Sequence, residues 1–365
     1  NVVFKDFATG TYVEGIESST FNAGTLTFSN LDFVTSDDLA TVNSISSRSA
    51  SDELGELTST HAEILAEQLA GTGANTCAFS GWTAYSTVDT ALCGAQNIGD
   101  GTVTVINQDI TWSGDVNLNG KVVVLSPATL TIEPGTVVKA AFKADPVDAS
   151  AIVIARGGTI IADGTAALPI VLTTEYDPLT AGDVAAGIYV ADNFDLTIGG
   201  LWGGLIVLGD NVIGEDGGVE SIEGIVEGET WTEYGGSETN DSSGSMKYIS
   251  IRHGGATIGN GDEINGLTLG GVGNGTVIEN IEIVSNTDDG IELFGGNVDV
   301  TNILIFNQTD DAIDIDEAYS GTINDAYVAL GAGSDNVFEI DGSEDSTGAV
   351  TGSYTINKVT AVGAT

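Results

Sequence analysis

The chain has 365 residues, with 53 Asp and Glu against 9 Lys and Arg, for a formal charge of −44. That balance argues against nucleic acid and anionic lipid as partners, and a hydrophobic content of 41% argues against an acidic disordered tail. Fifty Gly, only five Pro and short Val/Ile/Thr-rich runs predict mainly β structure with many tight turns.

Residues 1–50 alternate weakly, as in TLTFSNLDFVTS, and read as a few extended segments. A helix is predicted over residues 51–70, where Leu54, Leu57, His61, Ile64, Leu65 and Leu69 recur at helical spacing. Thr60 with Glu63 suits a capping box, and Gly71 is a fitting stop. Cys77 and Cys93 are the only cysteines. With no further Cys or His beside them a zinc site is disfavoured, and a disulfide in an oxidising, extracellular setting is expected. The start at Asn1, without Met or a signal peptide, reads as a processed form or a fragment. No apolar run approaches the ~18 residues of a membrane span.

From about residue 101 the character changes. Short apolar runs (VTVI, VVVL, AIVIA, GLIVLG, YISI, IENIEIV) alternate with Gly, Asn and Asp, without a helical period. Ile278–Asn280 is echoed 22 positions later by Val300–Asn302, and NTDDGIELFGG by QTDDAIDIDEA, with GSDNVFEIDGS as a third version. Such a period, holding two or three short strands, is the signature of a solenoid coil. The fold expected is a mainly β, single-stranded right-handed parallel β-helix over residues 101–365, of about eleven coils or fewer. Two loop inserts, near 174–200 and 212–245, interrupt it. Residues 1–100 form an N-terminal capping or assembly region containing the one helix.

Stacked coils align like residues in ladders. In TDDAIDID, Ile313 and Ile315 should face the core, turning Asp314 and Asp316 outward. Glu292 and Glu339 should stack beside Asp314, and Asp341 beside Asp316. Asp288 and Asp310 form one column at the preceding turn, Asp289 and Asp311 another. Like charges this close resist joint ionisation. Hard oxygen ligands from several carboxylates suit Ca²⁺, so an ion is expected among Asp288, Asp310, Asp311, Asp314, Asp316, Glu292, Glu339 and Asp341. The plainer alternative is a set of Asp side chains capping turn amides, with the strand acids solvated.

Three phrases, LTIEPGTVVKAA (Leu130–Ala141), GGTIIADGTAALPIVLT (Gly157–Thr173) and GLWGGLIVLGD (Gly200–Asp210), resemble the coils of secreted bacterial surface proteins of the pectate-lyase-like right-handed β-helix superfamily. The resemblance covers roughly residues 115–362. It implies the fold; the superfamily holds lyases, hydrolases, adhesins and structural proteins alike. Polygalacturonase-like members carry a paired-Asp motif, so an enzyme would use Asp288, Asp289, Asp310, Asp311 and Asp314. Arg252 and His253 of the RHGG stretch would then face the same groove. Gly-His-Gly and Arg-Ile-Lys, which complete that pattern, are absent.

The function expected is therefore non-enzymatic: a Ca²⁺-stabilised structural or adhesive protein of the cell surface or extracellular space, with self-assembly into a filament or layer as an option. The alternatives are a polysaccharide lyase or glycoside hydrolase, and a glycan-binding module using Trp231 and Tyr234 of the second insert as its contact surface.

Overall fold

A computed structural model describes residues 2–5, 31–34, 95–191, 194–223, 225, 229–256 and 264–363. The chain divides into two compact units, Asn1–Gly94 and Ala95–Thr365. In the first, Val2–Lys5 pairs in parallel with Leu31–Val34. The helix expected over 51–70, the capping role, and Cys77 with Cys93 lie outside the described residues.

The second unit is a parallel β-helix built on two long sheets. The eight-stranded sheet stacks Thr104–Ile106, Lys121–Val124, Ala151–Ile154, Gly204–Leu208, Leu267–Gly270, Ile291–Phe294, Ile313–Asp316 and Phe338–Ile340, every pair parallel. This sheet thus holds eight coils among the described residues, fewer than the upper figure of about eleven. Two long excursions, residues 175–203 and 209–243, consume the chain that further coils would have used.

The twelve-stranded sheet changes character along the stack. Early coils contribute separate short strands, such as Thr159–Asp163 and Ile170–Thr174. Both pair with the single strand Gly244–Arg252, and later coils keep this fused form. The fused strand bends at one residue per coil: Tyr248, Asn280, Asn302, Asp325 and Lys358, with φ between 50 and 59°. At that bend Ile278 and Ile281, three apart, both turn inward and are buried. Asn tolerates the left-handed region better than most residues. The stacked amides also bond each other, Asn302 Nδ2 donating to Asn280 Oδ1 at 3.1 Å.

The interior is a column of aliphatic side chains, among them Leu205, Leu267, Ile291, Leu293, Ile303, Ile305, Ile313 and Ile315. Each such side chain stabilises by about 1.5–3 kcal/mol relative to an exposed one. A second apolar cluster lies outside the eight-stranded sheet. There Val123, Val153, Ile206 and Leu208 meet Ile213, Ile222, Ile225 and Tyr234 of the excursion 209–243. The excursion 175–203 packs on the twelve-stranded sheet, with Leu179 and Val184 against Val137 and Val171. It carries the one α-helix among the described residues, Ala181–Ala185, opened by a Thr180–Asp183 capping box. No described helix is long and apolar enough to cross a membrane.

Candidate cation-binding cavity

One outward-facing column of the eight-stranded sheet runs in register through Val123, Val153, Ile206, Thr268, Glu292, Asp314 and Glu339. Its first half is apolar and sealed under the second excursion. Its second half is acidic. Where the character switches, a cavity of about 350 Å³ opens, lined by Glu223, Asp288, Asp289, Glu292, Asp310, Asp314 and Glu339. Every lining residue is a carboxylic acid. Glu223 comes from the excursion, Glu292, Asp314 and Glu339 from successive strands, and Asp288, Asp289 and Asp310 from the turns before those strands.

The predicted stacking of Glu292, Asp314 and Glu339 is present. Their exposure differs from expectation. Glu292 and Asp314 point away from the core yet are only 6% and 9% exposed, and the turn residue Asp289 only 7%. Sequence alternation distinguishes the two faces of a strand, but it does not reveal that the outer face is covered. Glu223, part of that cover, carries no signal in the chain: it sits in an irregular stretch between Ile222 and Ile225.

Burial sets the electrostatics. It pushes Asp289 up to about 9, aided by the neighbouring Asp288 charge. Glu292 is driven well above the usual carboxylate range by burial and then by the charges of Glu223 and Asp314. Asp314 rises to about 6, again mainly by burial. The hydrogen bond between Glu292 and Asp314 raises Glu292 further and restrains the rise of Asp314. Glu339 rises to about 7, chiefly through its hydrogen bond with Asp311. Ionising this group of acids together requires an opposing charge.

Within and beside the cavity, carboxylate oxygens approach one another closely enough for one ion in three overlapping sets: Asp289/Glu292/Asp314, Asp288/Asp289/Asp310 and Asp310/Asp311/Asp335. The first set is wholly buried and has a further feature. Oδ1 of Asp314 is buried without a hydrogen-bond partner, a costly condition for a carboxylate. An all-oxygen, carboxylate-rich donor set with an unsatisfied buried oxygen fits a hard divalent cation. Asp289, Glu292 and Asp314 would hold it, with Glu223 alongside.

Turn amides also draw on these acids, on Asp311 among the expected ligands and on Asp289 among the catalytic candidates. Oδ1 of Asp289 accepts from the amide of Asp311 at 2.9 Å, and Oδ1 of Asp311 from the amide of Asn336 at 2.6 Å. The turn-capping alternative therefore holds for this column. Asp316 lies one register position further on, beside Phe294, outside the cavity, and Asp341 is exposed. Asp289 was expected only as a catalytic candidate, yet its carboxylate belongs to two of the three sets.

Arg252 and His253 do not line the cavity. They belong to the twelve-stranded sheet and its turn, where they fasten the excursion 175–203. Arg252 donates to Tyr189 O at 2.7 Å and Ser250 Oγ at 2.6 Å, and pairs with Glu282 at 3.3 Å. His253, fully buried, contacts Ile198 O through Nδ1 at 2.5 Å and packs edge-on against Phe194. Burial lowers its pKa, which keeps the ring neutral near pH 7. Lys247 reaches Asp163, at 3.9 Å. No cationic side chain among the described residues lines the acidic cavity.

The contact surface expected at Trp231 and Tyr234 is also not an open one. Tyr234 is 2% exposed, its OH donating to Glu317 Oε1 at 2.6 Å. Trp231 is half-buried against the outer apolar cluster. Both anchor the excursion to the wall, because large rings that can seal a hydrophobic face lose less by burial than by display.

No curated protein and no solved structure gives a significant match to the chain. The model of the pectate-lyase like beta helix domain matches residues 104–365, the whole stretch that carries the coils apart from its first few residues. With eight stacked parallel coils and a family match over well more than half its length, the chain belongs to the pectate-lyase-like β-helix family.

Proposed function

We propose that this β-helix is a non-enzymatic structural or adhesive protein of an extracellular or cell-surface setting, stabilised by Ca²⁺ held between Asp289, Glu292 and Asp314. The observation that carries this reading is the cavity of seven acids with no described cationic side chain along it. A lyase of the calcium-dependent kind needs an Arg or Lys base beside the ion, and Arg252 is committed to Glu282, Ser250 and Tyr189. The charge of −44 has the same sense: a chain this acidic gains from bound cations, which relieve self-repulsion.

Calcium titration by calorimetry, with metal analysis after chelation, tests the proposal. The expected result is saturable uptake and a higher melting temperature with Ca²⁺, both lost in Asp314→Asn. Melting curves that coincide with and without chelator, together with no bound metal, would sink it. One observation favours a glycosidase as the second reading: Asp289 and Asp314 titrate far apart, as an acid and a base must. Release of reducing sugar from polysaccharides, abolished by both Asp289→Asn and Asp314→Asn in folded protein, would favour that reading over the structural one.

A further inference from the structure

A second pocket, of about 300 Å³, lies one register position along the same outer face. Its floor is Tyr234, Phe294 and Glu317, with the half-buried Asp316 beside Phe294; Glu215, Glu220 and Glu344 stand around its mouth, and Glu223 borders both this pocket and the first cavity. The floor and rim differ in kind. Glu317 is 5% exposed and the two rings are comparably buried, whereas Glu220 and Glu344 are exposed. The Tyr234 and Phe294 ring centroids are 5.8 Å apart and tilted.

Glu317 is half-satisfied. Its Oε1 accepts the Tyr234 hydroxyl at 2.6 Å, while its Oε2 is buried with no hydrogen-bond partner. Leaving one oxygen of a buried carboxyl unmet is costly. The chain also departs from ordinary backbone geometry to put it there: Glu317 and Ala318 are consecutive non-glycine residues at φ 45° and 63°. Such geometry persists only where the surroundings enforce it.

The pocket does not suit a divalent ion. None of its acids belongs to a set of three converging carboxylates among the described residues. It has one deeply buried acceptor, aromatic walls, the half-buried Asp316 beside Phe294, and acids spaced around the entrance. That arrangement matches an ammonium head on an aliphatic stem. The head has N–H donors for a single deep oxygen, the stem lies against ring edges, and further amines along it reach the rim carboxylates.

We propose that this pocket binds the primary ammonium group of an aliphatic amine, end-on, with Glu317 Oε2 as the deep acceptor and Glu220 and Glu344 receiving any further amine on the stem. Free polyamines and lysine side chains share this chemistry. The deep acceptor Glu317 and the rim acids Glu220 and Glu344 are not among the proposed calcium ligands Asp289, Glu292 and Asp314, although Glu223 borders both cavities.

The test is calorimetric titration of the full chain with spermidine, n-butylamine and a lysine-bearing tripeptide. Saturating Ca²⁺ and about 0.15 M salt suppress loose ionic binding. Saturable one-site binding of spermidine is expected, weakened about tenfold or more by Glu317→Gln, which keeps the side-chain shape but cannot give up a proton to become the carboxylate that meets the ammonium. Glu344→Gln, at an exposed position, should weaken spermidine and leave n-butylamine unchanged, which guards against a folding defect in the floor variant. Binding of the tripeptide as strong as that of spermidine identifies lysine as the source, and weaker binding identifies a free polyamine. Glu292→Gln should abolish Ca²⁺ uptake without touching amine binding, so either reading can fail alone. Absence of a saturable site, equal affinity for tetramethylammonium, or amine binding that Glu317→Gln leaves unaltered would overturn the proposal.

Discussion

Without divalent cations, raising the pH should destabilise this β-helix across a range in which most proteins gain or hold stability. Asp289 shows why. In the folded chain burial holds its pKa up at about 9; in the unfolded chain it returns to about 3.9. Between those values the folded state keeps a proton that the unfolded state has released. Each pH unit in that window therefore removes about 1.4 kcal/mol for this one group. The stability it contributes is fully present below about pH 4 and is lost as pH climbs through about 9. For a unit of this size, 1 kcal/mol corresponds to a melting shift of roughly 2–4 °C. Glu292, displaced in the same direction, adds to the slope. Calcium should reverse the trend. It binds the ionised acids, so it must displace their protons, and its affinity rises with pH. At a hundred times its Kd it contributes about 2.7 kcal/mol. The assay is a set of circular-dichroism melts at pH 5, 6, 7 and 8, with chelator and with excess Ca²⁺. A chelated melting temperature that stays flat or rises from pH 5 to 8, with no larger calcium effect at pH 8 than at pH 5, would refute the reasoning.

Three further outcomes follow from packing and backbone geometry. A Cβ on Gly270 would sit 2.7 Å from Tyr234 Cγ, so Gly270→Ala should displace the ring, cost about 1–3 kcal/mol, and speed proteolytic cleavage within residues 209–243. Asn302 stands at φ 57° in the bend of its strand. There Asn302→Val should cost about 1–2 kcal/mol in a denaturant titration, while Asn302→Gly should cost less despite losing the bond to Asn280. Leu293 is fully buried between coils, and Leu293→Ala should lower stability by about 2–5 kcal/mol, with the depth of the loss visible in the same titration.

The calcium and amine readings place two cation sites side by side on one wall. The column through Gly270, Phe294 and Asp316 serves the second pocket, and the column through Thr268, Glu292 and Asp314 serves the first. The excursion 209–243 contributes to both, with Glu223 bordering the two and Tyr234 in the floor of the second. Its apolar residues fasten it over the early coils, and its acids overhang the later ones.

The coil period, the parallel stacking and the pairing of Glu292 with Asp314 and Glu339 were legible in the sequence. A solenoid repeats one unit, and in-register stacking turns a repeat distance directly into a neighbour list. That Asn280 and Asn302 stack was legible for the same reason, from the echo of Ile278–Asn280 in Val300–Asn302; that they stand at a left-handed bend inside one strand was not. Both excursions were visible too, as breaks in the repeat. What they cover was not. Alternation says that Asp314 leaves the core, but only the folded chain, with Glu223 of the excursion beside it, decides that it enters a cavity of acids where it is largely shielded from bulk water. The same limit applies to Arg252 and His253. Their nearness along the chain to the acidic turns suggested one groove, but the strand Gly244–Arg252 lies in the other sheet, where both hold down the excursion 175–203. Periodicity is a local property and survives in the sequence; burial of an outer face depends on contacts between segments with no shared period, and so appears only in the tertiary structure.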